Sequence, residues 1–345
     1  ICLSGPIFGA IADKYGGHKA IMLAFVFYIL GIYFLYSGPN TGVFFQIDMG
    51  LLVGIGLGGT AISIPMSIVG KHFPLSNRTI AMSLVTAVGS FGYFISPLYT
   101  AYSLENSGWI DTLYIFTIFL VIGLVIAFFV RSPSLSESLE TPSNQNTMSA
   151  LKEAFKTKSY VLLTAGFFVC GFHITLVGTH VPTYVIDRGL ESWTAAAILS
   201  LIGLFNIFGS LLSGYLSTKM KKKVILSALY TLRGISICLF IFLPASNINA
   251  FIFGASFGFL WLSTVPATSG IVAHIFGTKH LGLLYGIVFL SHQIGSFFGS
   301  FLGGLFHDIY GSYDYAWYLA IVLSIFAAII HVPIKEEPVL RLKTE

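Results

Sequence analysis

The sequence predicts an all-α membrane protein made of two similar helical bundles. Three observations predict it. Hydrophobic residues fill 55% of the 345 positions and charged residues only 9%, with a mean hydropathy of +0.85, whereas a water-soluble domain carries about a quarter charged residues. The apolar residues fall into runs that mostly reach the roughly 20 residues a bilayer crossing needs. A short segment, Gly9-Ala-Ile-Ala-Asp13-Lys14, is echoed in the second half of the chain by Gly214-Tyr-Leu-Ser-Thr218-Lys219.

Taken in order, the apolar run 1–12 comes first. The chain begins with Ile1 inside this run, so we expect it to be the remnant of a longer helix, with one further helix before it. Spans follow over 20–37, 43–70, 78–102 and 109–130, closing an N-terminal bundle over 1–130. A long polar stretch, 131–157, links it to a C-terminal bundle over 158–334. That bundle holds spans over 159–186, 193–217, 223–244, 249–275, 281–305 and 314–333, and a tail occupies 335–345. These are eleven spans. In the first link, Gly9, Gly16 and Gly17 let two helices approach closely and let a tight turn adopt positive φ. Asp13 there can cap a helix N-terminus or pair with a cation, and Lys14 and Lys19 belong in the headgroup region. Pro182 should bend its helix near the outer end.

Lysine and arginine set the orientation. Links on one side hold Lys14, Lys19, Lys71, Arg78, Arg131, Lys152, Lys156, Lys158, Lys219, Lys221, Lys222, Lys223 and Lys279, and the tail adds Lys335, Arg341 and Lys343. Only Arg188 lies on the other side, and Arg233 lies within a span. This asymmetry puts the first link, the long linker and the C-terminus in the cytosol, and we expect a plasma (cell inner) membrane protein. The net charge of +4 thus belongs to loops beside the membrane and implies no nucleic acid. The long linker begins rich in Ser, Pro, Asn, Glu and Thr and should be flexible. Further on, Met148, Leu151 and Phe155 share one helical face away from Lys152, Glu153 and Lys156. This predicts a short amphipathic helix on the membrane surface, capped by Ser149, or else a solvated start to the next span.

The halves repeat beyond the first motif. Ile68-Val69, Phe73, Val85, Gly92 and Phe94 match Ile271-Val272, Phe276, Val288, Gly295 and Phe297 at one shared offset. The pattern G-x-x-x-D-[RK]-x-G-x-x-[RK], carried by Gly9, Asp13, Lys14, Gly16 and Lys19, is similar to the signature of major facilitator superfamily (MFS) transporters. The resemblance covers the whole chain. It implies an MFS fold of two six-helix bundles related by a pseudo-two-fold axis, a substrate held between them near mid-membrane, and a role for Gly9, Asp13, Lys14, Gly16, Lys19 and Gly214 in conformational switching. Within the superfamily, Gly304-Leu-Phe-His-Asp308-Ile-Tyr310-Gly311-Ser-Tyr313-Asp-Tyr315 resembles the corresponding segment of the monocarboxylate and oxalate/formate transporters. The Asp and Arg that monocarboxylate transporters carry on the span before the second motif correspond to Asn206 and Ser210 here, so the family's anion-binding cation is missing from its usual place.

Ionisable groups inside a membrane are costly and are functional candidates by default. Arg233 can attract an anion or hold the halves together, and it can equally pair with carbonyls. Asp48, near the outer end of its span, can serve as a proton site or gate contact, or stand at a solvated helix end. His173 and His180 share one face of their span with Tyr184 a turn further on, and His292 and Gln293 lie midway along another. Trp261 and Thr264 add a ring face and a hydroxyl at i and i+3. We expect the three histidines to form the C-terminal wall of a substrate site with Tyr184, Trp261, Thr264, Gln293 and Arg233, because His offers a donor and an acceptor and takes a proton near physiological pH. Interhelical hydrogen bonding is the competing role for each histidine.

No His/Cys/carboxylate cluster has metal spacing, Cys2, Cys170 and Cys238 have no disulfide pattern, and no phosphate loop is present. An enzyme is therefore not expected, nor a cofactor or a metal. A membrane haem protein would need histidines on opposite faces of the ring, which His173 and His180 on one helix do not provide. No charged or carbonyl ring suggests a passive channel. The sequence thus points to a monomeric secondary transporter in the lipid bilayer, working by alternating access on a small-molecule anion, with proton coupling. An exporter of hydrophobic compounds is the alternative, given 15% aromatic residues.

Overall fold

Over its described residues every predicted span is mainly helical in the computed structural model of the protein, which describes residues 4–39, 41–130 and 145–343. The N-terminal bundle comprises α1 (Ser4–Tyr15), α2 (Gly17–Ser37), α3 (Gly42–His72) and α4 (Leu75–Phe129). A positive φ of 98° at Gly16 makes the reversal between α1 and α2, as the glycine pair predicts. Gly108, at φ 79°, divides α4 into two arms, which are the two spans expected over 78–102 and 109–130. Nine stretches among the described residues are long and apolar enough to cross a membrane when α4 is taken as one. Dividing α4 makes ten, and α1, with 12 residues, is the short first run.

The C-terminal bundle comprises α6 (Lys158–Asp187), α7 (Ser192–Lys219), α8 (Lys222–Phe242), α9 (Asn247–Leu260), α10 (Thr264–Phe276), α11 (Leu281–Tyr310) and α12 (Asp314–His331). Its middle is α6, which lies against α11 and α12. Glycines make that approach possible: a side chain on Gly171 would collide with the His292 carbonyl, one on Gly295 with the Phe168 carbonyl and one on Gly299 with the Phe172 carbonyl. In lipid, where burying apolar surface between helices gains little, such backbone contact is what holds helices together. At the far end of α11, Gly311 adopts a left-handed cap (φ 66°), and the Tyr310 and Tyr315 rings meet across the corner at 4.4 Å.

The two bundles meet at their lysine-bearing ends through matching seams. Gly9 of α1 lies against the Gly282 backbone of α11, and Gly214 of α7 lies against Ser83 and the Thr79 carbonyl of α4. The contacts are related by the same internal repeat seen in the sequence, so the pseudo-two-fold axis passes between them.

Between the bundles, α5 (Thr147–Lys156) is the expected short helix. Its cap is Asn146, whose Oδ1 accepts from Ser149 N at 2.8 Å, and not Ser149. Ala150 and Ala154 are its buried contacts, Leu151 is partly covered, and Met148 and Phe155 are left 60% and 56% exposed. The expectation of flexibility falls on 131–144, outside the described residues. Beyond α12 the chain runs back as a strap under the C-terminal bundle. Lys335 N donates to Ser159 Oγ (2.9 Å), Val339 N to the Ile275 carbonyl (3.0 Å) and Arg341 Nε to Glu153 of α5 (3.1 Å).

Candidate functional site

Two membrane helices are broken at equivalent depths. In α3 the helix stops at Thr60, Ala61 turns extended (ψ 153°), and a new helix runs from Ser63 to His72. In the other bundle α9 stops at Leu260, Trp261 leaves helical geometry (ψ −82°), and α10 starts at Thr264. Pro65 and Pro266 lie just past the breaks, where each removes a backbone donor from the helix ladder. At 1.5 Å per residue the new N-termini lie roughly 14 and 18 Å from the lysine-bearing ends of their helices, near mid-membrane. Each presents the positive end of a half-helix dipole there. Ser63 Oγ, beside the first break, is buried and has no hydrogen-bond partner among the described residues.

Arg233 stands at the second break. It projects from α8, is wholly buried, and donates from Nη2 to the Leu260 and Trp261 carbonyls, both at 2.6 Å. Its guanidinium lies 5.2 Å from the Tyr230 ring centre and 5.8 Å from that of Phe257. Nε and Nη1 have no hydrogen-bond partner among the described residues. Between Ser159 and Ile334 the acids are Asp187, Glu191, Asp308 and Asp314, all at or beside helix ends away from the lysines. A buried guanidinium without a counter-ion costs several kcal/mol.

The break also joins the bundles. Asn206 Nδ2 donates to Ser90 Oγ of α4 (2.6 Å), while its Oδ1 accepts from Leu262 N inside the break (2.8 Å). The Trp261 ring faces Tyr93 of α4 at 5.7 Å. Thr264 Oγ1 and the Cys170 thiol are 3.2 Å apart.

The histidines separate into two groups. His173 Nε2 donates to the Ala320 carbonyl of α12 (2.8 Å), and His180 Nε2 to the Ser300 carbonyl of α11 (2.8 Å), so each joins α6 to a neighbouring helix. His292 is different: neither ring nitrogen has a close hydrogen-bond partner among the described residues, the imidazole faces the Cys170 thiol, and the ring is stacked on Phe289 at 5.0 Å. Tyr184 lies among Trp317, Phe240 and Tyr313 near the end away from the lysines, where its hydroxyl accepts from Arg188 (2.7 Å). Gln293 is partly exposed on α11. The structure therefore gathers Arg233, Trp261 and Thr264 at the break. His292 faces the Cys170 thiol of α6, which also meets Thr264, so it borders this group, while Tyr184 and His180 lie further out. Asp48 is not at a solvated end: it is buried in a π-helical stretch of α3, Gln46–Val53, a distortion common at functional positions.

The Gly9–Lys19 link joins the two bundles at the lysine-bearing end. Asp13 does both things its residue type allows. Its Oδ1 receives Lys71 Nζ at 2.6 Å and Ser67 Oγ at 3.3 Å. It also caps α11 of the opposite bundle, accepting from Gly282 N (3.2 Å) and Leu283 N (2.8 Å), where carboxylate charge and helix dipole agree. Lys14 stays exposed beside the Tyr15 ring, and Lys19 is exposed too. Next to the capped turn, His280 Nε2 donates to the Gln145 carbonyl at 3.1 Å. Burial holds its imidazole below the ordinary range, with the Gln145 bond opposing the shift.

Sequence reasoning named Arg233 and Asp13 and missed their partners. Lys71, Asn206 and the two breaks came from no motif. Pro65 and Pro266, in corresponding places of the repeat, were the available signal.

The family profile described as Major Facilitator Superfamily matches residues 1–265 and 222–345. Monocarboxylate transporter 13 of Rattus norvegicus is 24% identical over 322 residues, 91% of this chain and 72% of that protein. The sialic acid transporter NanX of Escherichia coli (strain K12) is 24% identical over 335 residues, 95% of this chain and 80% of that protein. Among solved structures, the MFS transporter FucP in its outward conformation aligns with a TM-score of 0.72 at 16% identity, over 95% of this chain and 86% of the other.

Proposed function

The chain belongs to the Major Facilitator Superfamily and is an integral membrane transporter, and on that premise we propose that it carries a small organic anion, a monocarboxylate-like solute, together with a proton. The observation that carries the anion reading is Arg233, a wholly buried cation at a helix break with two nitrogens unpaired and no acid near it. Two half-helix N-termini at the same depth add positive potential. A carboxylate is the smallest ligand that answers this arrangement, since the site has donors to offer and no counter-charge for a cation. Monocarboxylate transporter 13 and the sialic acid transporter NanX, by their names, move carboxylic acids, which supports the same class.

In this reading Arg233, Trp261 and Thr264 form the C-terminal wall. Tyr93 and Ser63 stand opposite, and His292 and Gln293 offer further polar contacts. His173, His180 and Tyr184 hold the wall's helices in place. The lysine-bearing end is cytosolic, as the excess of Lys and Arg there requires, and the C-terminus lies with it. The protein works as a monomer in the plasma membrane. The bundles rock about the breaks, with Asp13 fastening the cytosolic side. Coupling to protons follows if the site takes its anion more readily when a nearby imidazole is protonated.

The test is uptake by the purified full chain in proteoliposomes, comparing lactate, a neutral hexose and a lipophilic cation. Lactate should accumulate above its equilibrium level when the outside is acidified, and a protonophore should abolish the accumulation. Accumulation of the lipophilic cation with no lactate movement would overturn the anion reading in favour of an exporter of hydrophobic compounds.

A further inference from the structure

A second charged site lies at the lysine-bearing end, beside the start of α6. Between α5 and the C-terminal strap runs an open groove of about 740 Å³ whose wall carries Lys152, Lys156, Lys158 and Lys335 together with Ser159 and Leu340. None of the four ammonium groups has an ion-pair partner among the described residues. Two acids share the wall and both are engaged: Glu153 with Arg341 at 3.1 Å, and Glu337 with a partner of its own. The groove therefore has a surplus of positive charge.

Its apolar surroundings say what kind of anion fits. Met148 and Phe155 of α5, on the helix that supplies Lys152 and Lys156, stand 60% and 56% exposed, and Leu340 of the strap is 81% exposed. A soluble anion has no use for these side chains. A basic helix with large exposed apolar residues is the pattern of an element lying in the membrane interface. The groove also lies on the end where the transporter concentrates its cations, and basic residues at that boundary attract anionic lipid.

We propose that this groove binds the phosphate headgroup of an anionic phospholipid, with Met148 and Phe155 seated among the acyl chains. The site has a mechanical connection to the closed end. Gln145, just before α5, accepts from Lys279 Nζ (2.8 Å) and His280 Nε2 (3.1 Å), immediately ahead of the α11 turn that Asp13 caps. A lipid held in the groove steadies α5 and, through Gln145, the residues that lead into that turn.

The test uses the full chain in neutral detergent, titrated with phosphatidylglycerol, phosphatidylcholine or inorganic pyrophosphate and read by native mass spectrometry and melting temperature. Phosphatidylglycerol should be retained at least ten-fold better than phosphatidylcholine, with the preference shrinking in high salt. Substituting Lys152→Gln, Lys156→Gln, Lys158→Gln and Lys335→Gln together should remove that preference. Should the four-fold variant fail to fold, the pair Lys156→Gln and Lys335→Gln gives the same reading at smaller amplitude. Met148→Ser with Phe155→Ser should weaken phosphatidylglycerol retention while leaving the weak pyrophosphate response as it was. Equal retention of both lipids, or a preference that survives the lysine substitutions, overturns the proposal. Pyrophosphate binding as tightly as phosphatidylglycerol does so as well, by assigning the groove to a soluble phosphate.

Discussion

Arg233→Gln should lower affinity for the proposed anion by about 100-fold, close to 3 kcal/mol, the upper range for a hydrogen bond to a charged group. Glutamine keeps a donor for one of the Leu260 and Trp261 carbonyls but removes the charge and the unpaired nitrogens. Arg233→Lys should fall between, since it retains charge and loses the planar fork that spans two carbonyls while leaving donors free. Affinity by isothermal titration and melting temperature should be measured on the same preparations. If Arg233 serves only to hold the break together, melting temperature falls in both variants while the affinity of the folded fraction stays constant, and the anion assignment fails.

Asp13→Asn should slow transport at least ten-fold while leaving ligand affinity within a few-fold. The substitution leaves Lys71 buried without its partner, a change that costs about 3–5 kcal/mol in comparable buried pairs, and it weakens the cap on α11. Both losses fall mainly on the state in which the lysine-bearing end is closed, because only there does the carboxylate reach Gly282 and Leu283 of the other bundle. The proposed substrate groups at the Arg233 break are untouched. Adding Lys71→Met to Asp13→Asn should recover part of the lost stability, as removal of both partners of a buried pair does. A large loss of affinity with unchanged turnover would show that Asp13 acts on the substrate site instead.

The helices and the two-bundle architecture were legible because lipid imposes long apolar runs and because the halves repeat. Asp13 was legible through its motif, and Arg233 because a charge in a membrane helix stands out. The partners were not legible. The Gly282 and Leu283 amides that Asp13 accepts from are backbone groups, which carry no residue signature. Asn206, read in sequence only as a departure from a related family, turns out to bridge Ser90 and Leu262. The three histidines look equivalent along the chain, since spacing fixes the face of a helix and not which neighbour that face meets. Packing decided that His173 and His180 meet carbonyls of α12 and α11 while His292 meets none.

The position of Arg233 also bears on how the chain is built. Entering the bilayer alone, α8 carries an arginine at its centre, worth about 2.5–3.5 kcal/mol against insertion. The carbonyls that receive its guanidinium belong to residues 260 and 261, which at usual rates of synthesis leave the ribosome about 1–4 seconds after α8 is complete. During that interval the charge has no settled place, and α8 matures only once α9 is beside it. The two should therefore enter lipid as a hairpin. Nascent chains halted before residue 250 should show poor insertion of α8, and chains extended past α10 should show nearly full insertion. Arg233→Leu should remove the difference.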